Sequence, residues 1–243
     1  MLEPLLDEGW SMRVLVRDAS KLEASVRQRV EVVEGDAESD EDLARAMAGA
    51  KVAWFLMHSM GGDGDFAKTE RSIAEAFAKA AAGSGVERIV YLGGLHPCEE
   101  DLSEHLASRV AVGEVLMGSG VPTAAIHAGV VMGAGSASFD MLRTLTERLP
   151  AAGGPAWLRN QIQPIDADVV HYLVAAADLP AEVNRTFDVG GPDRLSYAEM
   201  MQRYARVRGL GPRPVATAPV MTPRLAGHWI GLITPIEAKL AAP

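Results

Sequence analysis

The amino-acid sequence predicts an α/β fold: a parallel sheet with helices on both faces. Short β-rich runs alternate with segments of helical periodicity through the first half of the chain, an order that neither a sandwich nor a bundle shows. Strand candidates such as Val52-Ala-Trp-Phe-Leu-Met57 are apolar on both faces, as strands covered by helices on both sides must be. The 243 residues, 48% hydrophobic and 23% charged, suffice for one core-bearing domain, or one domain with a small appendage, and exclude global disorder.

The elements follow in order. Leu2, Leu5 and Leu6 recur at helical spacing and Gly9 stands where a helix stops, so the chain opens on what reads as the back half of a helix feeding a buried strand. The predicted strands are Arg13 to Val16, Val30 to Val33, Val52 to Met57, Arg88 to Leu92 and Thr123 to His127. Between them, helices are predicted over Ser20 to Gln28, Glu41 to Met47, Phe66 to Ala82 and Leu102 to Ser119, the last opened by an Asp101/Glu104 capping box. Beyond Gly129 the texture changes. Gly133-Ala-Gly135-Ser reads as a loop, Phe139 to Leu149 as a helix and Pro150 to Pro155 as a flexible connector. Gln161 to Ile165, a helix over Ala167 to Ala177 and a strand over Thr186 to Val189 follow, before a Ser196/Glu199 capping box opens the helix Tyr197 to Val207. This divides the chain into residues 1–128 and 129–243.

A net charge of −9 disfavours nucleic acid as the main partner, because that affinity is built from Lys and Arg neutralising phosphates. Cys98 is alone, which excludes an internal disulfide and a thiolate metal site and fits a reducing cytoplasm. Glu3, Asp7 and Glu8 do not form the basic start of a secretory signal. The apolar runs fall short of the roughly 20 residues of a membrane helix. No His/Asp/Glu set has metal-ligand spacing.

An open parallel sheet binds ligands beyond the carboxyl ends of its strands, so the residues there are the candidates. After the first strand come Arg17 and Lys21; an arginine at this place suits the 2′-phosphate of NADP, or stands as a solvated cation at a helix entrance. After the second come Gly35, Asp36 and Ala37, where the carboxylate either accepts from an adenine amino group or closes a turn. The third strand ends in Met57 and His58 and the fourth in Gly93 and Gly94, whose small size lets a flat ligand approach the backbone or simply makes a turn. Asp168 reads as a helix cap, Met141, Met200 and Met201 as helix packing, Trp229 as a core or interface anchor, and His127 as a strand-end residue.

The segments "RVLVRDASKL", "VEVVEGDAESDEDLARAMAG", "RIVYLGGL", "SGVPTAAIHAGVVMGAGS", "QPIDADVV" and "TFDVGGPDRLSYAEM", in this order, resemble the short-chain dehydrogenase/reductase superfamily, in its atypical extended branch of NmrA-like and epimerase-like proteins. The resemblance implies a Rossmann-like doubly wound sheet with a small C-terminal substrate-side subdomain. It also implies an NAD(P)(H) cofactor, NADP being favoured over NAD by Arg17, and oxidoreductase or epimerase-like chemistry on a small molecule. In such proteins a strand and a GxxGxxG loop precede the helix matching Leu2 to Glu8, and neither is present in the sequence. The expectation is therefore a sheet with a gap in its middle, from a truncated gene model or fragment, or one covered in a homo-oligomer.

The proton-transfer set departs as well. Gly94 stands where the family has Ser or Thr, and His105-Leu-Ala-Ser-Arg109 stands where it has Tyr-x-x-x-Lys. His105 and Arg109 share a helical face and could exchange and stabilise charge, or form a basic pair at a helix edge. A non-catalytic dinucleotide-sensing module or an inactive fragment is the alternative reading.

Overall fold

Ser39, Ser103, Ser136 and Ser196 each stand directly before a helix and accept a hydrogen bond from the backbone N–H three residues on, satisfying a donor the helix cannot. The computed structural model describes residues 2–57, 66–97, 102–133, 136–149 and 151–218. In chain order the elements are α1 (Leu2–Asp7), β1 (Arg13–Val16), α2 (Ala24–Arg27), β2 (Glu31–Glu34), α3 (Asp40–Met47), β3 (Val52–Phe55), α4 (Phe66–Ser84), β4 (Arg88–Gly94), α5 (Glu104–Met117) and β5 (Thr123–Ala128). Then follow β6 (Val131–Met132), α6 (Ala137–Arg148), β7 (Ala152–Pro155), β8 (Gln161–Ile162), β9 (Ile165–Asp166), α7 (Val169–Ala175), β10 (Arg185–Val189), β11 (Leu195–Ser196), α8 (Tyr197–Val207) and β12 (Val215–Ala218).

The chain forms two compact units. The first comprises the described residues up to His127 together with Asp168–Asp188. It holds a four-stranded sheet in the order β10-β5-β4-β3 and a separate parallel pair, β1 with β2. Strands β3 and β4 run parallel, with Val52 opposite Arg88 and Phe55 opposite Tyr91. Among the described residues no ladder joins β1 to β3.

Apolar residues drawn from β3, β4, α3, α4 and α5 make the core: Phe55, Phe77 and Tyr91 meet edge to face, and Leu43, Ile73, Val112 and Leu116 close around them. A second cluster joins Leu5, Met12 and Val174 to Trp10 and Trp54, whose rings cross at 5.5 Å. Trp54 Nε1 donates to the Leu173 carbonyl at 3.0 Å, and buried Arg88 donates to the carbonyls of Leu179, Pro180 and Val183. These bonds tie α7 and the segment after it to the sheet.

The second unit comprises Ala128–Ala167 and the described chain from Val189. Leu142, Leu145, Leu158, Tyr197, Met200 and Met201 form its core, so the two methionines of α8 pack as expected and Met141 lies against them. The Ser196/Glu199 capping box is present in both directions.

Several expectations are corrected. The segment Ser20 to Gln28 is not one helix, because Asp18 captures the N–H and hydroxyl of Ser20 to cap a 3-10 turn at Ala19–Lys21, and extended Leu22 separates it from α2. Ala152–Pro155, expected as a flexible connector, pairs in parallel with Val215–Ala218 through backbone ladder bonds that need no side-chain pattern. Gln161 to Ile165 divides into two strands, β8 pairing with β11 and β9 with β6, and the break falls at Pro164, which has no N–H to donate. The observed cap of α5 is Ser103, while Asp101 lies outside the described residues. Asp168 holds the N-cap position of α7, but its side chain makes no capping bond. Ala134, Gly135 and Trp229 also lie outside the described residues.

Candidate functional site

Strands β1 and β2 are parallel and in register, so their carboxyl ends lie together and Arg17 meets Asp36. Arg17 Nε stands 3.3 Å from Asp36 Oδ2, with the Arg17 side chain 75% exposed. Lys21 ends the adjacent 3-10 turn. Asp18, next to both cations, is committed to Ser20, and those two hydrogen bonds hold its carboxyl below the usual range.

The turn after β2 is built around Asp42 of α3. Its Oδ2 accepts from the Asp36 N–H at 2.9 Å, and a Cβ on Gly35 would stand 2.6 Å from Asp42 Cγ, so only glycine fits there without displacing the carboxylate. Ala37 is buried in the main core.

At the end of β3, Met57 packs against the main core, and His58 lies outside the described residues. At the end of β4 the two glycines differ. A Cβ on Gly94 would meet only Leu106 Cδ2, at 3.4 Å. One on Gly93 would stand 3.0 Å from His127 Cδ2 and 3.0 Å from Tyr91 Cε1.

The imidazole of His127 fills that space from β5. Its Nδ1 stands 3.4 Å from Asp188 Oδ1 on β10, and its ring centre lies 5.0 Å from that of His96, just beyond β4. Burial and His96 hold the His127 pKa below its ordinary value, with Asp188 working against them.

His105 and Arg109, proposed from the sequence as a proton-transfer pair, are set among packing groups. The His105 ring stacks on Phe66 of α4, centres 4.5 Å apart. Arg109 Nε stands 3.9 Å from Glu70, a carboxylate only 6% exposed that also accepts from Ser108 Oγ at 2.5 Å. Tyr91 donates its phenol to the Arg109 carbonyl at 3.0 Å, and burial raises its pKa. The pair thus lies on the α4–α5 contact.

Sequence reasoning placed Arg17 and Asp36 after successive strands without pairing them, and it missed Asp188 as the partner of His127, Gly93 as the space that ring needs, and Glu70 beneath Arg109. A histidine in the otherwise apolar run Thr-Ala-Ala-Ile-His-Ala was the one available signal.

A family model described as NAD(P)H-binding matches residues 1–117. No curated relative matches the sequence. Among solved structures, a nucleoside-diphosphate-sugar epimerase from Staphylococcus aureus is similar over 99% of this chain and 81% of its own, at 17% identity and a TM-score of 0.76. Triphenylmethane reductase from Citrobacter sp. is similar over 99% and 81%, at 19% identity and a TM-score of 0.75. The Bordetella bronchiseptica enzyme WbmG, in complex with NAD and UDP, is similar over 99% and 87%, at 17% identity and a TM-score of 0.72. The protein is thus a Rossmann-like α/β protein.

Proposed function

We propose that the protein binds NADP(H) and acts on a small molecule as an oxidoreductase or epimerase-like enzyme of the atypical short-chain dehydrogenase/reductase type. The observation that carries this reading is the exposed Arg17 guanidinium at the carboxyl end of β1, beside Asp36, within the segment that matches the NAD(P)H-binding family. Arg17 and Lys21 would hold the 2′-phosphate and Asp36 would accept from the adenine amino group, with Ala37, Met57, Gly93 and Gly94 along the path of the cofactor. The nicotinamide supplies or takes a hydride when bound. The polypeptide's part is to orient it and to hold or move a proton at the substrate oxygen. A reducing cytoplasm is the compartment that suits the lone Cys98. Among the described residues no helix is long and apolar enough to cross a membrane.

Fluorescence titration with NADPH and NADH tests the reading. NADPH is expected to bind at least about 10-fold more tightly than NADH, and Arg17→Ala to remove most of that difference. Failure of both nucleotides to bind overturns it.

A second reading, a dinucleotide-sensing module without turnover, is favoured by one observation: His105 and Arg109 are engaged with Phe66 and Glu70. NADPH-dependent turnover of any carbonyl compound by the wild type excludes this alternative.

A further inference from the structure

His127 is an imidazole held at 6% exposure in a strand whose other residues are small or apolar, a costly placement unless the ring is partnered. Asp188 of the neighbouring β10 is that partner. A carboxylate can only accept, so His127 Nδ1 carries the proton and Nε2 keeps its lone pair. On the other side, β4 presents Gly93, the one residue type that leaves room for the ring. His96, half-buried, completes the group. Its Nδ1 lies 3.0 Å from the Pro97 carbonyl, another pure acceptor, so this ring too is protonated at Nδ1 and free at Nε2. The ring centres lie 5.0 Å apart, and His96 disfavours a positive charge on His127.

We propose that Asp188, His127 and His96 form a proton-exchange site for a hydroxyl- or carbonyl-bearing small molecule at the carboxyl edge of β4 and β5, with His127 as the acid–base group and Asp188 positioning it. This rests on the enzymatic reading above and places its proton transfer away from His105 and Arg109. In the forward step the O–H bond of the substrate hydroxyl breaks and an Nε2–H bond forms on His127. Negative charge develops on the oxygen, and the positive charge on the ring faces the Asp188 carboxylate. Delivery to a carbonyl-derived oxygen reverses each change. The ring reaches this role neutral, since burial and His96 lower its affinity for protons more than Asp188 raises it. Tyr91, facing it from β4, stays a neutral phenol bonded to the Arg109 carbonyl.

Long-range proton–nitrogen NMR on the full chain with 15N-labelled histidine reads the tautomers directly. His127 is expected as the Nδ1–H form at pH 7.5, with a titration midpoint that Asp188→Asn lowers and His96→Gln raises by about half a unit or more. An Nε2–H tautomer, or a midpoint that neither substitution moves, overturns the proposal. In parallel, NADPH oxidation is followed with a panel of small aldehydes and ketones. His127→Gln is expected to lose about 100-fold or more in turnover while its NADPH Kd is unchanged. His96→Gln, at a half-buried position, is expected to fold normally and shift the pH profile. Equal turnover in His127→Gln, or a wild type that binds NADPH yet reduces no member of the panel, overturns the proposal. A wild type that binds no NADPH instead overturns the cofactor reading, and the NMR result still decides this one.

Discussion

Gly93 and His127 share one volume: a Cβ on the glycine would stand 3.0 Å from Cδ2 of the imidazole, with Tyr91 Cε1 equally close. Gly94, one residue on, has ordinary contact distance to Leu106. Gly93→Ala should therefore destabilise the fold by about 1–3 kcal/mol, because two buried rings must move. Gly94→Ala should fall within about 1 kcal/mol of wild type. Urea denaturation of the two variants measures the contrast, and equal stabilities would refute this account of the β4 terminus.

Arg17 and Asp36 form an exposed pair, so Asp36→Asn should leave folding stability within about 0.5 kcal/mol. Its effect belongs on affinity. Freed from its carboxylate, Arg17 should bind NADPH several-fold more tightly, whereas NADH, with no phosphate at that position, should not gain. Calorimetric titration of both nucleotides resolves the two changes.

Glu70 is buried between α4 and α5 with Ser108 and Arg109. Glu70→Ala should cost about 2–4 kcal/mol, since it strips a carboxylate from a hydroxyl and a guanidinium that stay in the packed interface. Ser108→Ala should cost less, about 1–2 kcal/mol, because the carboxylate keeps the arginine. Thermal denaturation that ranks them in reverse would show that the hydroxyl, not the charge, organises the contact.

His127 makes stability depend on pH with a defined sign. Its pKa in the folded protein lies below the ordinary 6.5 of the unfolded chain, so the unfolded state binds protons more readily. This contribution is complete above about pH 6.5 and is lost as pH falls toward the folded value. His127→Gln should flatten the stability profile across that window, as chemical denaturation at a series of pH values would record.

Much of the layered fold was legible because its determinants are local. Arg13–Val16 and Tyr197–Val207 coincide with the segments read from periodicity, and Ser196 with Glu199 forms the capping box that four neighbouring residues spell out. Arg17 and Asp36 could each be placed at a strand end from the sequence, and the in-register pairing of β1 with β2 is what brings them together. The β7–β12 pairing could not be read, since Ala-Gly-Gly-Pro carries no alternation and its ladder is made by backbone alone.

By itself the sequence determined the main strands and helices, because apolar spacing, β-branching and capping act over a few neighbouring residues. Only the tertiary structure decided that Asp188 meets His127, that Gly93 leaves room for the rings of His127 and Tyr91, and that Glu70 underlies Arg109. Those meetings depend on strand order and helix packing, which bring distant residues within a few ångströms through burial shared by the whole unit.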